Sequence, residues 1–526
     1  MLSVHLHALC RMPRAYLTAA WWRLCGKRVR ARAQFAPLLA ISPQAYRLWL
    51  HGEKPIATGS EDGPPIVALV HAGECGEDAL EATLRSLARE GIAMLVSGTP
   101  DGADFAEAAR RIDWSGRPWI MPLAAGDVLA PGAAAAYRRA AASASAQACI
   151  VYADDDLVDG TGQRCSPHFK PEWNAELFRH FDFLTGACIV RADEGRLAAA
   201  SGPDRAAHLV ATMVQDGETA GKEGLPIHLP YVLHHRHARR APVVPAAPVS
   251  GGRLPPVTVI VPTRNRVDLL RPCMEGLART DYPDMDVIVV DNGSDDPATL
   301  AFLDALDPAR HTVLRAPGPF NFSALNNLAA RQARGELLCL LNNDIEVRAP
   351  DWLAIMARHA LREEVGAVGA RLLYPDGRIQ HAGVVLGVGG GAAHAHRLLH
   401  PDDEGYFRRH ALPQFVSAVT AACLVVQRTR FEAVGGLDEA NFAVAFNDVD
   451  LCMRLNARGW QSLYEPRATL VHHESVSRGF DRDPAGAARL AGELAALKAR
   501  WSTDERVDPY HHPQLSRFSE RFAVQL

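Results

Sequence analysis

The chain of 526 residues is 48% hydrophobic and 22% charged, with a formal net charge of −4. That length carries two or three domains with sizeable cores, and the near-neutral charge excludes a protein drawn as a whole to nucleic acid. Ten cysteines are scattered without a CxxC pair or zinc-ligand spacing. This excludes a zinc or disulfide scaffold and, with Cys188, Cys339, Cys423 and Cys452 inside apolar runs, predicts reduced core thiols in a cytoplasmic protein.

Residues 1–60 form a basic amphipathic segment. Eight Lys and Arg precede the first acid, Glu53, and Tyr16, Leu17, Trp21, Trp22 and Leu24 are interleaved with them. Arg11, Pro13 and Arg14 interrupt the apolar residues, so the stretch is too short to span a bilayer, and it lacks a clean signal-peptide cleavage pattern. Two readings stay open. Either a basic helix packs on the following domain, or residues 1–35 contact an anionic membrane peripherally, on the cytoplasmic face of the inner membrane.

Residues 61–240 open on an apolar run, PPIVALV, followed by the loop His71 to Cys75. Midway lies an acidic cluster, Tyr152-Ala153-Asp154-Asp155-Asp156-Leu157-Val158-Asp159. It reads as solvated turn acids, with a remnant sugar or metal site as the alternative. Residues 241–256, rich in Pro, Ala, Val and Gly, read as a semi-extended linker.

Residues 257–480 carry the chemistry. Val257–Val261 (VTVIV) is a β-branched strand ending in Pro262-Thr263-Arg264-Asn265-Arg266. Asp268–Arg279 has helical spacing, and Val287–Val290 ends at Asp291-Asn292-Gly293-Ser294-Asp295-Asp296. Strand, helix, strand with short connections predicts a right-handed parallel βαβ unit. A third apolar run, Glu336–Leu341, predicts a buried parallel strand ending in Asn342-Asn343-Asp344. Three polar loops thus converge on the carboxyl edge of one sheet, where open α/β sheets bind ligands. Turn chemistry explains each loop singly but not all three together. An acid there can seat a divalent metal that also grips a diphosphate.

Further along, Asp448 and Asp450 open a helix. Asp450 fits a capping acid that complements the helix dipole, whereas Asp448 reads as reaching the crevice. The apolar run ending in His472 offers an imidazole as a metal ligand. Residues 481–526 hold an amphipathic helix, Pro484–Trp501, and a tail, Asp508–Leu515, whose His511-His512 pair reads as structural rather than metallic.

Across residues 255–480 the runs VIVPTRNR, VIVVDNGSDD, FNFSALNNLAA, GELLCLLNNDIEV, IQHAGVVLG, TAACLVV, GGLDE, FNDVDLCMRL and HHESVSRG resemble a GT-A glycosyltransferase of the large inverting family 2. They resemble most the branch that builds O-antigen and other cell-surface polysaccharides, including rhamnosyltransferase-like members. The tail is similar to the DPY-x-x-P-x-L ending of that family. The resemblance implies an α/β fold: a GT-A (nucleotide-diphospho-sugar transferase, Rossmann-like) catalytic domain preceded by a degenerate GT-A-like domain. It implies inverting, metal-dependent transfer from a nucleotide-sugar donor to a glycan or lipid-linked acceptor. Asp448 then matches the catalytic base. Pro262, Thr263, Arg264, Asn265, Asp291, Asn292, Asn342, Asn343 and His381 fall to the nucleotide-sugar, with Gln380 and Gly383 beside them. Asp344 and His472 fall to a divalent Mn2+ or Mg2+. The chain departs from the pattern at Asn342 and Asn343, where many relatives carry acids, and at Asn447, often Glu.

Two other classes were weighed. A nucleotidyltransferase would want a Gly-rich loop and a Lys on the triphosphate, which PTRNR does not supply. A non-catalytic glycan-binding or scaffold protein fits the first half better than the second.

The halves are internally similar. Residues 64–89 match 255–279 with a one-residue slip, Thr185–Val190 echoes Thr420–Val425, and Leu229–His235 echoes Glu465–His473. In the first half the place of Asp291 falls near Ser97, the metal motif at Ala124-Ala125-Gly126-Asp127, and the base region around Pro203-Asp204-Arg205. This half therefore reads as a docking or acceptor-positioning module.

Overall fold

The chain builds two sheets in succession, the first opening on three parallel strands and the second on four, each leading into a mixed remainder. They are seen in a computed structural model that describes residues 1–56, 63–73, 76–98, 104–202, 204–246, 252, 254–473 and 484–526. Glu74, Cys75, Pro203, most of linker residues 247–253 and the run after His473 lie outside the described residues.

Four helices come first: α1 (Leu2–Arg11), α2 (Pro13–Leu24), α3 (Arg28–Ala40) and α4 (Pro43–His51). Ser42 caps α4, its hydroxyl accepting from the Gln44 amide, with Pro43 at the first helical position. Among the described residues no helix is long and apolar enough to cross a membrane.

The first sheet comprises β1 (Ile66–His71), β2 (Ala93–Ser97), β3 (Trp119–Ala124), β4 (Val128–Leu129), β5 (Ile150–Val158), β6 (Arg164–His168), β7 (Cys188–Val190) and β8 (Ile227–Arg236). The second comprises β9 (Val257–Thr263), β10 (Met285–Asp291), β11 (His311–Arg315), β12 (Leu337–Leu341), β13 (Ile345–Val347), β14 (Val365–Leu373) and β15 (Ile379–His381). After a small hairpin of β16 (Val384–Leu386) and β17 (Ala392–His394), it is completed by β18 (Gln414–Val416), β19 (Cys423–Gln427) and β20 (Gln461–His472).

The strand orders superpose. The first sheet runs β2-β1-β3-β7-β5-β8-β4, and the second runs β10-β9-β12-β19-β14-β20-β13 with β11 added at one edge. Directions agree as well: β1 is parallel to β2 and β3 as β9 is to β10 and β12, and β4 is antiparallel to β8 as β13 is to β20. The expected βαβ unit is present, with the helix Val267–Ala278 between β9 and β10.

The second sheet is buried on both faces, as its unbroken apolar strands require. Val257, Val259 and Val261 face one cluster with Leu270 and Trp352, while Ile260 faces the other with Leu325 and Leu451. The halves dock through an apolar cluster, in which Phe169 and Val232 meet Val385 and Phe522, and through polar contacts. The Asn174 amide donates to the Phe415 carbonyl (2.9 Å) and its oxygen accepts from the Phe415 N–H (3.1 Å), while Glu176 pairs with Arg362 at 2.7 Å.

Candidate functional site

A crevice of about 990 Å³ opens at the carboxyl edge of β9 and β12. Pro262, Thr263, Arg264 and Asn265 form one wall, Asn342, Asn343 and Asp344 its floor, and Asp448 and His472 the opposite side. Nine of the residues singled out in the sequence are thereby brought together.

Local bonding explains the convergence. The Asn343 amide donates to Thr263 Oγ1 at 3.0 Å, tying the ends of adjacent parallel strands. Asn265 adopts a left-handed conformation (φ 52°), which Asn tolerates better than most residues. Its side-chain oxygen accepts from the Asp295 and Asp296 N–H groups, both at 3.0 Å. The loops after β9 and β10 are thus one bonded unit.

Antiparallel pairing of Ile345 with His472 sets Asp344 beside that imidazole, with Asp344 Oδ1 3.1 Å from His472 Nε2. The Nδ1–H donates to Gln380 Oε1 at 2.8 Å, and the Asn342 amide donates to Nε2 at 3.2 Å. With the proton on Nδ1 toward Gln380, the tautomer that a cation shared with Asp344 requires, the Nε2 lone pair faces the crevice. A carboxylate oxygen and an unprotonated imidazole nitrogen held this close form the donor set a divalent cation takes, with remaining positions for diphosphate oxygens. The residues present therefore fit the implied metal, and Gln380 orients the ligand.

Asp448 lies in the first turn of the helix Asn447–Ala457 and is half-buried. Its carboxylate accepts from the Ala421 N–H at 3.1 Å and the Val449 N–H at 2.8 Å. The loop before it is fixed by a residue that sequence reading missed. The buried Glu493, on the helix Pro484–Trp501, accepts from the Val444 and Ala445 N–H groups at 2.9 and 3.0 Å. Phe320, which opens the quoted run FNFSALNNLAA, and Arg489 also line the crevice, and neither was singled out as a site residue.

Four foreseen residues, Asp291, Asn292, His381 and Gly383, lie outside the crevice lining. The Asp291 carboxylate is engaged by Ser294 and by Arg315 (2.8 Å), and the Asn292 amide donates to the Ala316 carbonyl at 2.8 Å. His381 is fully buried, its Nδ1 2.8 Å from His394 Nδ1, and burial together with His394 and His472 holds its pKa well below the usual imidazole range. The expected capping role of Asp450 is also corrected. Its buried carboxylate takes Arg454 (2.8 Å), Arg500 (2.8 Å) and the Trp501 indole (3.0 Å), joining two helices.

The acids of the first half are not solvated turn acids. Asp154, Asp155 and Asp156 lie on β5 and are 0–1% exposed. Asp155 pairs with the wholly buried Lys170 at 2.8 Å and with Arg239. Asp156 takes the Tyr46 hydroxyl of α4 (2.7 Å), Arg164 and His235 (2.7 Å). By register, Asp127 occupies the place of Asp344 and His235 that of His472, because Val128 pairs with His235 as Ile345 pairs with His472. Here the imidazole turns to Asp156 instead, while His237 and Arg236 reach Asp127 at 2.9 and 3.7 Å. Gly186 stands where Ala421 stands in the second half. A Cβ at Gly186 would lie 2.5 Å from the Arg236 guanidinium, so glycine admits that cation.

A second His–Asp group lies between β5, β8 and the tail. Asp154 is 3.0 Å from His228 Nε2 and 2.9 Å from His512 Nε2, and the three donors fall within the span of a metal site. His512 Nδ1 accepts from the Gln514 N–H at 3.0 Å, which leaves the proton on Nε2. A protonated nitrogen is no ligand, so this group is a charged clip that ties the tail to the first half.

Residues 258–387 match the family model described as Glycosyl transferase family 2. An uncharacterised protein of Sinorhizobium fredii is 39% identical over 415 residues, covering 70% of this chain and 45% of that protein. The O-antigen biosynthesis protein RfbC of Myxococcus xanthus is 36% identical over 433 residues, covering 75% of this chain and 33% of that protein. Both matches run through the two halves, and the chain spans less than half the length of either relative. Among solved structures, a mannosyltransferase of Pyrobaculum calidifontis in complex with GDP-Man and Mn2+ is 22% identical over 50% of this chain and 68% of that one, with a TM-score of 0.37.

Proposed function

We propose that this chain, which carries a glycosyl transferase family 2 domain over residues 258–387, is an inverting glycosyltransferase. On this reading it moves a sugar from a nucleotide-sugar to a glycan or lipid-linked acceptor in cell-surface polysaccharide synthesis. The observation that carries the reading is the meeting of Asp344, His472 and Asp448 in one crevice with the Pro262–Asn265 loop. The O-antigen name of the Myxococcus xanthus relative supports the pathway class.

Asp344 and His472 would hold a divalent cation, whose chemistry is to neutralise charge on a departing nucleoside diphosphate. The remaining work belongs to the chain. Thr263 and Asn265 border the nucleotide side of the crevice, with Asn343 holding Thr263 in place. Asp448 accepts the proton of the acceptor hydroxyl as its oxygen bonds to the anomeric carbon. The bond from that carbon to the diphosphate oxygen breaks on the opposite face, which inverts the centre. The Ala421 and Val449 N–H groups keep the Asp448 carboxylate aimed.

The first half is, in this reading, a degenerate copy that docks and braces. Its Asp127, Asp155 and Asp156 are engaged by basic residues of their own half. The exposed basic and aromatic residues of α1–α3 support peripheral contact with an anionic membrane.

The test is nucleotide release from a panel of UDP-, TDP- and GDP-sugars with Mn2+ or Mg2+ and lipid-linked acceptor extract. One donor should be consumed in a metal-dependent manner, and Asp344→Ala should abolish it. Absence of binding by every donor in the presence of metal would overturn the reading.

A further inference from the structure

A second cavity, of about 560 Å³, lies between the α2–α3 pair and loops of the second half. Its composition is divided. Met12, Trp22, Leu38 and Ile41 supply apolar wall, while Arg30, Arg378, Arg397 and Arg521 supply guanidinium groups. We infer that this groove binds the anionic lipid of the acceptor, with a hydrocarbon chain along the helices and its phosphate or diphosphate on the arginines. The inference rests on the transferase reading above and adds to it the site and chemistry of the acceptor's carrier.

Four observations carry it. The first is charge. Among the described residues Glu520 is the only acid lining the groove; it stands 3.8 Å from Arg397, and Arg378 is 3.7 Å from the exposed Asp376. The Arg378–Asp376 pair is exposed and the Arg397–Glu520 pair partly so, Arg397 also donating to the Tyr374 hydroxyl at 2.7 Å; such solvent-screened pairs hold little energy and can yield to a phosphate, which arginine binds bidentately. Arg521 is held in place by donating to the Arg397 and Leu398 carbonyls. Burial and the neighbouring Arg378 lower its pKa, so an anion arriving there relieves like-charge crowding.

The second is shape and polarity. A cavity lined by both apolar side chains and several arginines suits an amphiphile better than a free sugar or a bare phosphate. The third is the adjoining surface. Leu17, Trp21 and Leu24 follow helical spacing on α2 and are 59%, 65% and 82% exposed. Arg14, Arg23 and Lys27 flank them, with no acid in residues 1–52. That stripe fits the interface of an anionic bilayer, from which a lipid could slide into the groove.

The fourth is the path to the chemistry. Gln380 and His394 line the catalytic crevice, while Arg378 and Arg397 line the groove. Two short segments thus border both cavities, and Arg378 sits only about 7 Å of extended chain from Gln380. A phosphate held at the arginines places the first sugar of a lipid-linked acceptor toward Asp448.

The experiment is calorimetric titration of metal-free full-length protein with farnesyl diphosphate, farnesol and inorganic pyrophosphate. Farnesyl diphosphate should bind at least tenfold more tightly than either fragment. Arg30→Glu with Arg378→Glu should weaken it at least tenfold, and Asp344→Ala should leave it unchanged. Arg30→Glu alone, on an exposed side chain, should give a several-fold loss and keeps the test decisive if the double variant fails to fold. Equal binding by the charge-reversed variants would overturn the inference, as would no binding at all. Pyrophosphate binding as tightly as farnesyl diphosphate would reduce the groove to a free-phosphate site. Loss in Asp344→Ala would assign the binding to the catalytic crevice. None of these outcomes touches donor turnover, so failure here is distinguishable from failure of the transferase reading.

Discussion

The two sheets share a strand order and differ at their carboxyl edges. In the second, the floor presents Asp344 and a His472 lone pair to open crevice. In the first, the register-equivalent Asp127 and His235 are paired with residues of their own half, and Lys170, Arg236 and Arg239 crowd the acids of β5. The lesson is that strand order secures neither a cation site nor a donor site. In the first half basic residues of the same half engage Asp127, Asp155 and Asp156 directly.

The largest expected effect sharpens this contrast in favour of the second half. Asp448→Asn should lower turnover by roughly 10²–10⁴-fold, the span for loss of a general base, while donor binding stays near wild type in titration. The matching change in the first half should act on stability instead. Lys170→Met leaves Asp155 short of a buried partner and should cost about 3–5 kcal/mol, read from urea unfolding, while activity per folded molecule holds. If Lys170→Met destroyed turnover in protein that remained folded, the first half would have to be granted a catalytic part.

A third prediction concerns the clip between the first half and the tail. Burial alone would lower the pKa of His228, but Asp154 and Glu172 hold it at about 9. Because that lies above the unfolded value of about 6.5, the stabilisation is whole below pH 6.5 and is lost as pH rises through about 9. It amounts to on the order of 3 kcal/mol at most. The urea midpoint of wild type should therefore fall between pH 6.5 and 9, and that of His228→Gln should be flatter over the same window.

The smallest effect tests positioning. Glu493→Ala removes the acceptor of the Val444 and Ala445 N–H groups and should lower kcat by about tenfold, on the scale of one charged hydrogen bond. KM for the donor should hold, and Glu493→Gln should restore part of the loss. An equal fall in KM and kcat would show that Glu493 does not work through the Asp448 loop.

Much of the catalytic half was legible because its signals are local. Apolar strands end in polar loops, and Thr263, Asn343 and Asp344 meet where parallel strands must bring them. The repeat between halves was also readable, down to the Thr185 and Thr420 segments. What escaped depended on partners far along the chain. Asp154–Asp156 resemble turn acids until Lys170, Arg239 and Tyr46 bury them, since three acids on a strand contradict strand propensity and only distant cations reconcile them. Asp450 looked like a helix cap, yet its partners Arg500 and Trp501 lie some fifty residues on. Gln380 was seen as lining, but its bond to His472 could not be read from spacing. Asp291 matched a motif, although its carboxylate is spent on Ser294 and Arg315.

The measurement that bears most directly on the account is the stoichiometry of donor binding in the presence of Mn2+, by titration of the full-length chain with whichever nucleotide-sugar the release panel selects. One nucleotide-sugar per chain, lost in Asp344→Ala and retained in Asp127→Ala, is the predicted result. Two per chain, or loss of binding in Asp127→Ala, would contradict the claim that only the second sheet carries a working site.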